Sequence, residues 1–136
     1  MSNIERFNEV AGRVFAALYE NFPASTPLKI AELAGMDEAE VDNMFPRVPQ
    51  EFRRTEAAIT WLRDAGYIWI DDNHQLIVMA RLTPKGLEAL NSVPASIEPS
   101  TSIGDVLLSA VRSGSGDIAR ELVKEAFRAS FRLLAT

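Results

Sequence analysis

The chain has 136 residues, 47% of them apolar and 24% charged, with a formal net charge of −5, one histidine and no cysteine. These figures describe a globular domain with room for an appendage, and they exclude disulfides, thiol chemistry and any zinc site built from several cysteines or histidines. No apolar run approaches the roughly 20 residues that span a bilayer, and the opening MSNIERFNEV lacks the basic-then-apolar layout of a signal peptide, so a cytoplasmic protein without membrane contact is expected.

Residues 3–21 predict a first helix. Ile4, Phe7, Val10, Ala11, Val14, Phe15, Leu18 and Tyr19 recur at spacings of three and four, which puts them on one apolar stripe. Pro23 ends this helix, because proline disfavours helical geometry in the residue before it. Leu28 to Ala34 reads as a short helix with Ile30 and Leu33 inward and Gly35 as a left-handed stop. Another is expected over Asp37–Phe45, capped by Asp37 and anchored by Val41, Met44 and Phe45. Pro46 and Pro49 then punctuate the chain. A long helix follows over residues 50–65. Phe52, Thr55, Ala58, Ile59, Leu62 and Ala65 face the core, with Glu51, Arg54, Ala57, Trp61 and Asp64 toward the other side.

Tyr67 to Ile70 is aromatic and β-branched, as a strand prefers. Asp71-Asp72-Asn73-His74 reads as a hairpin tip. On the returning strand Leu76, Val78, Ala80 and Leu82 share one face, and Ile77, Met79 and Arg81 the other. Thr83 caps the next helix, and Pro84 takes its first turn. Residues 1–92 therefore form one expected domain. Residues 93–102, rich in proline and serine, are read as a linker. Residues 103–136 are read as an extension of two helices, Ile103–Arg112 and Asp117 to about Leu134, separated by Ser113-Gly114-Ser115-Gly116.

The phrase Trp61-Leu62-Arg63-Asp64-Ala65-Gly66-Tyr67-Ile68 is answered across the hairpin by Leu82-Thr83-Pro84-Lys85-Gly86. Through Leu62, Gly66, Tyr67, Ile68, Leu82, Thr83, Gly86, Leu87 and Leu90, residues 3–92 resemble the winged helix-turn-helix domains of small bacterial and phage regulators. The resemblance implies a mostly α fold with a small β-hairpin wing (α+β), here followed by two C-terminal helices. It also implies a DNA-binding, transcription-regulating role for the long helix. Three features depart from the pattern: a link longer than three or four residues before the long helix, an acidic first half, and an acidic wing tip.

Little in the chain suits catalysis. His74 sits at an expected hairpin tip, with neither an orienting group nor a dry pocket, so no triad is expected. Asp71, Asp72 and His74 read as solvated turn residues rather than a cation site. Glu38/Asp42 and Glu121/Glu125 read as solvated helix faces, and no phosphate-binding glycine loop is present. No enzyme, cofactor, metal or small-molecule substrate is expected.

Nucleic-acid binding has more support. Arg47, Gln50, Arg53 and Arg54 cluster at the start of the long helix, the end that meets base edges in helix-turn-helix proteins. The planar fork of arginine fits guanine, and glutamine can do the same for adenine. Gln50, Arg53 and Arg54 are the candidate readers of double-stranded DNA, with Arg47, Arg81 and Lys85 on phosphate. The net charge of −5 opposes this, since phosphate neutralisation supplies most non-specific affinity, although the acid is concentrated at the front of the chain, away from the long helix. Residues 1–46 hold three basic and eight acidic side chains, residues 47–92 six of each, and residues 102–136 five and four. The alternative is a non-catalytic protein-interaction module without DNA binding, its arginines paired with Glu51 and Glu56.

Two further features stay open between core and interface. Trp61 lies off the main stripe of its helix, and Tyr67 and Trp69 share a strand face. They either complete the core against the C-terminal helices or form a partner surface. In the last helix, Ile118, Leu122, Val123, Ala126, Phe127, Ser130, Phe131 and Leu134 make an apolar stripe, with Arg120, Lys124, Arg128 and Arg132 on another face. That stripe closes either on its own domain or on a second copy, giving a homodimer through 103–136.

Overall fold

In the computed structural model the described residues are 1–92 and 101–135, with side chains as far as Ser130. The fold is mostly helical with a small three-stranded antiparallel sheet, of the α+β class. Helix α1 (Asn3–Glu20) starts at Ser2, whose hydroxyl accepts from the Glu5 amide at 3.1 Å. Its stripe is buried from Ala11 through Leu18, but Ile4, expected on the same stripe, is 69% exposed. The first turn of α1 stands beside an open groove, so periodicity alone overstates its burial there.

The segment after Pro23 corrects the sequence expectation. Leu28 and Lys29 are not helical. They belong to strand β1 (Thr26–Lys29), which alternates buried Thr26 and Leu28 with exposed Pro27 and Lys29. Four residues are too few for a period of two to stand out in a sequence. Pro27 is tolerated because β1 is an edge strand and can spare an N–H. Helix α2 is a single turn, Ile30–Leu33, stopped at Gly35 with φ 77°. Helix α3 (Glu38–Asp42) is also shorter than expected, though Asp37 caps it as predicted, in a reciprocal box with Glu40. Met44 is buried, whereas Phe45 is 52% exposed and anchors nothing.

Helix α4 (Gln50–Asp64) buries Phe52, Thr55, Ala58, Ile59 and Leu62, as its periodicity predicts. Strands β2 (Ile68–Asn73) and β3 (Ile77–Leu82) follow, and the sheet order is β1-β3-β2. Ile70 pairs with Ala80 and Asp72 with Met79, so Asp71 is the extra residue of a bulge. The expected tip is corrected accordingly. Asp71, Asp72 and Asn73 belong to β2, and the turn is closed by the His74 amide donating to the Ile77 carbonyl at 2.9 Å.

The two halves of the recognised phrase meet at the C-terminal end of α4. Gly66 adopts φ 87°, and the Gly66 and Tyr67 amides return to the Arg63 and Leu62 carbonyls, both at 2.9 Å. Helix α5 (Pro84–Asn91) begins against this turn. The Thr83 hydroxyl donates to the Gly66 carbonyl at 2.5 Å and accepts from the Gly86 amide at 3.1 Å. Gly86 lies so close that a Cβ there would stand 2.2 Å from the Tyr67 carbonyl oxygen.

Helices α6 (Ile103–Arg112) and α7 (Gly116–Ala135) close on the same chain. Ile103, Leu107, Ala119, Leu122, Val123 and Ala126 join Val14, Phe15 and Leu18 in one apolar cluster. At Gly12 a Cβ would stand 3.3 Å from the Val123 Cγ2 methyl, a measure of how closely α1 and α7 approach. Among the described residues of the stripe offered for a dimer, Leu122, Val123, Ala126 and Ser130 are buried in a single copy, whereas Ile118 is 51% exposed. Residues 93–100 and the side chains of Phe131, Arg132 and Leu134 lie outside the described residues. Among the described residues no helix is long and apolar enough to cross a membrane.

Candidate functional site

Helix α4 is held from three sides. Its buried face meets α1, α2 packs against it, and β2 leaves its far end. Among its exposed side chains Gln50, Arg53, Ala57, Thr60 and Asp64 form a strip at helical spacings of three and four, flanked by exposed Glu51, Glu56, Trp61 and Arg63. Pro49 precedes the helix and no side chain caps it, so the partial positive charge of the helix N-terminus faces outward unopposed by a cap. Arg47 is exposed in the loop leading in.

The structure divides the residues expected at a nucleic-acid interface. Arg47, Gln50 and Arg53 lie exposed around the first turn of α4. Among the described residues none of the three makes an ion pair or side-chain hydrogen bond, so the expected pairing with Glu51 and Glu56 does not form. Arg54 sits on the flank turned toward α1, half-buried, where it lines a groove of about 820 Å³.

Arg81 and Lys85, the phosphate candidates near the hairpin, are both engaged within the chain. Arg81 donates from Nε to the Asp71 carboxylate at 3.0 and 3.1 Å, and its guanidinium lies 4.2 Å over the Trp69 ring. The hydroxyl of Ser25 and then Arg81 hold the Asp71 carboxyl below the usual carboxylate range. The Lys85 ammonium donates to the Ala65 carbonyl at 2.7 Å and lies 4.4 Å over the Tyr67 ring. It thereby neutralises the negative end of α4. These partners are ten and twenty residues distant in sequence, which is why composition alone offered both cations to a ligand.

Ala57 and Thr60 were not among the expected readers. Their signal was present in the sequence as the continuation of the Gln50–Arg53 spacing. Both are small enough for the close approach that a base edge requires, and each carries a methyl that could meet thymine. Acidic side chains accompany the strip: Glu51 and Glu56 are exposed on α4 itself, and at the hairpin Asp72 pairs with His74 at 3.0 Å. Among the described residues the cations of α7 are matched along their own helix, Arg120 with Asp117, Lys124 with Glu121 and Arg128 with Glu125.

The aromatic residues also divide. Trp61 meets Phe7 edge-on at 5.1 Å and Phe127 at 5.8 Å, and Tyr67 meets Phe127 at 5.2 Å. These two complete the packing against α1 and α7. Tyr67 does not share a strand face with Trp69, because β2 begins at Ile68 and Tyr67 turns into the core. Trp69 stays exposed beneath Arg81. No group of three or more histidine, aspartate or glutamate side chains is placed to hold a metal among the described residues. In comparison with known proteins, no family model, no curated protein and no solved structure matches this chain.

Proposed function

We propose that the chain is a winged-helix domain that binds double-stranded DNA, with α4 as its reading helix and the β2–β3 hairpin as its wing. The order α1-β1-α2-α3-α4-β2-β3, with β1 pairing on β3, supports the winged-helix reading. The observation that carries DNA binding is the outward strip of α4, where Gln50 and Arg53 stand exposed and uncompensated on a helix whose opposite face is buried. Arg47 and the uncapped helix N-terminus would meet phosphate. Gln50, Arg53, Ala57 and Thr60 would meet base edges.

Arg81, Lys85 and Arg54 leave the contact set in this reading, since each is turned to another task. The wing would then dock by shape alone, and affinity would be modest and strongly salt-dependent. A gel-shift against random duplex at low salt tests the proposal. Arg47→Ala with Arg53→Ala should abolish most of the shift, and the loss of the Arg47 phosphate contact should reduce the slope of log affinity against log salt by about 1. No shift, or one indifferent to these substitutions, removes the proposal.

One observation favours a second reading, a protein-interaction module without DNA affinity: the cations near the wing are neutralised internally while Glu51 and Glu56 stand exposed on α4 beside the candidate face. That reading predicts no duplex shift, together with a measurable protein partner or self-association.

A further inference from the structure

The groove between α1 and α4 has about 820 Å³ of volume, within the range of roughly 300–1,000 Å³ typical of small-ligand sites. Its apolar lining includes Ile4, Phe7, Val10, Leu33 and Trp61. Ile4 and Trp61 are 69% and 50% exposed, which is unusual for large apolar side chains facing one another across a cleft. Its charged lining is three arginines, Arg6, Arg13 and Arg54, against two glutamates, Glu9 and Glu51.

Those charges are not evenly matched. Glu9 is shared by Arg13 at 3.2 Å and Arg120 at 3.6 Å, and Arg13 also donates to the Leu33 carbonyl at 3.1 Å. Arg6 and Arg54 have no ion-pair partner among the described residues. A protein of net charge −5 thus keeps an apolar groove with a cationic excess.

The layout along α4 narrows the ligand. Arg54 and Trp61 stand seven residues apart on the same flank, about 10 Å along the helix axis. Between them α4 lines the groove with Thr55, Ala57 and Ala58, whose small side chains leave a trough. We infer that this groove binds an aryl-alkyl carboxylate: the carboxylate on the Arg54 guanidinium, the short chain over the two alanines, and the ring against Trp61 and Phe7. A guanidinium matches a carboxylate through two parallel hydrogen bonds, and the half-exposed indole offers a stacking surface. The inference does not rest on DNA binding: apart from Ala57, which borders both surfaces, the residues of the outward strip lie outside the groove lining.

The test uses the full chain carrying Trp69→Phe, which leaves Trp61 as the single tryptophan. Its emission is followed while 4-phenylbutyrate is added, with 4-phenylbutanol as the uncharged comparison. The expected result is a saturable shift with the carboxylate. The alcohol and the Arg54→Gln variant should each bind about tenfold more weakly, the size of a lost charge-assisted hydrogen bond. Ala57→Phe, which fills the trough from an exposed position, should abolish the response while the far-ultraviolet circular dichroism stays unchanged. No saturable shift, or one shared equally by the alcohol and by Arg54→Gln, overturns the inference. So does sedimentation showing the groove closed between two copies. Loss of the gel-shift alone would leave this site standing, and loss of phenylbutyrate binding alone would leave DNA binding standing.

Discussion

The two ends of α4 are built in opposite ways. At the C-terminal end, Gly66 reverses the chain, Lys85 and Thr83 satisfy the Ala65 and Gly66 carbonyls, and the Tyr67 ring packs against Phe15 and Phe127. At the N-terminal end no side chain caps the helix, and Gln50 and Arg53 reach into solvent. One end is tied down by side-chain contacts from α5 and α7, and at the other Gln50 and Arg53 make no side-chain hydrogen bond or ion pair among the described residues. Rigid support on one side and unsatisfied polar groups on the other suit a helix that presents a surface, because the support removes the entropy cost of ordering that surface on binding.

The comparison can be broken most severely from behind. Truncation after Pro94 removes α6 and α7 and uncovers Val14, Phe15 and Leu18. Re-exposing such side chains costs about 1.5–3 kcal/mol each, a sum comparable with the whole stability of about 5–15 kcal/mol of a typical domain. Thermal melts of the truncated chain should lose their cooperative transition. A truncated domain that melts normally and differs only in self-association would instead identify α6 and α7 as a dimer clasp.

Gly86→Ala attacks the supported end directly. Its methyl would collide with the Tyr67 carbonyl, so α5 must move away from the turn. A loss of about 3 kcal/mol is expected in urea unfolding. Thr83→Ala removes one donor and one acceptor from the same junction without a collision, and should cost about 1–2 kcal/mol. If either change is silent, the junction is not what steadies α4.

Asp71 supplies a smaller effect with a defined pH dependence. Its folded-state pKa is lowered, first by the Ser25 hydroxyl and then by Arg81. The contribution is therefore present above the ordinary carboxylate range and is lost as pH falls through the lowered folded-state value. Urea midpoints of the parent protein and Asp71→Asn should differ slightly near neutrality and converge in strong acid. Smallest of all, Arg53→Ala should leave stability within about 0.5 kcal/mol of the parent, as for surface changes that break no contact. A large loss would mean that the open end of α4 is structural after all.

Much of this was legible in the residues. Thr83-Pro84 at the start of α5, the buried face of α4 and the alternation of Val78, Ala80 and Leu82 all follow from local rules, because capping, helical period and strand period act over a few neighbours. Strand β1 was not legible. Four residues carry too little pattern, and Leu28 is extended because Val78 lies opposite it on β3. The same holds for the candidate site. Charge and spacing marked Arg47, Gln50, Arg53, Arg54, Arg81 and Lys85 equally, since a sequence shows which side chains are cationic but not which are already paired.

The amino-acid order by itself determined that there would be a long helix with a polar strip, a hairpin, and a capped helix returning to it. Only the tertiary structure decided that Arg81 belongs to Asp71, Lys85 to the end of α4, Arg54 to a groove, and α7 to α1. The physical reason is range: helix and turn preferences are set by neighbours along the chain, whereas ion pairing and burial depend on groups that folding brings together from far apart.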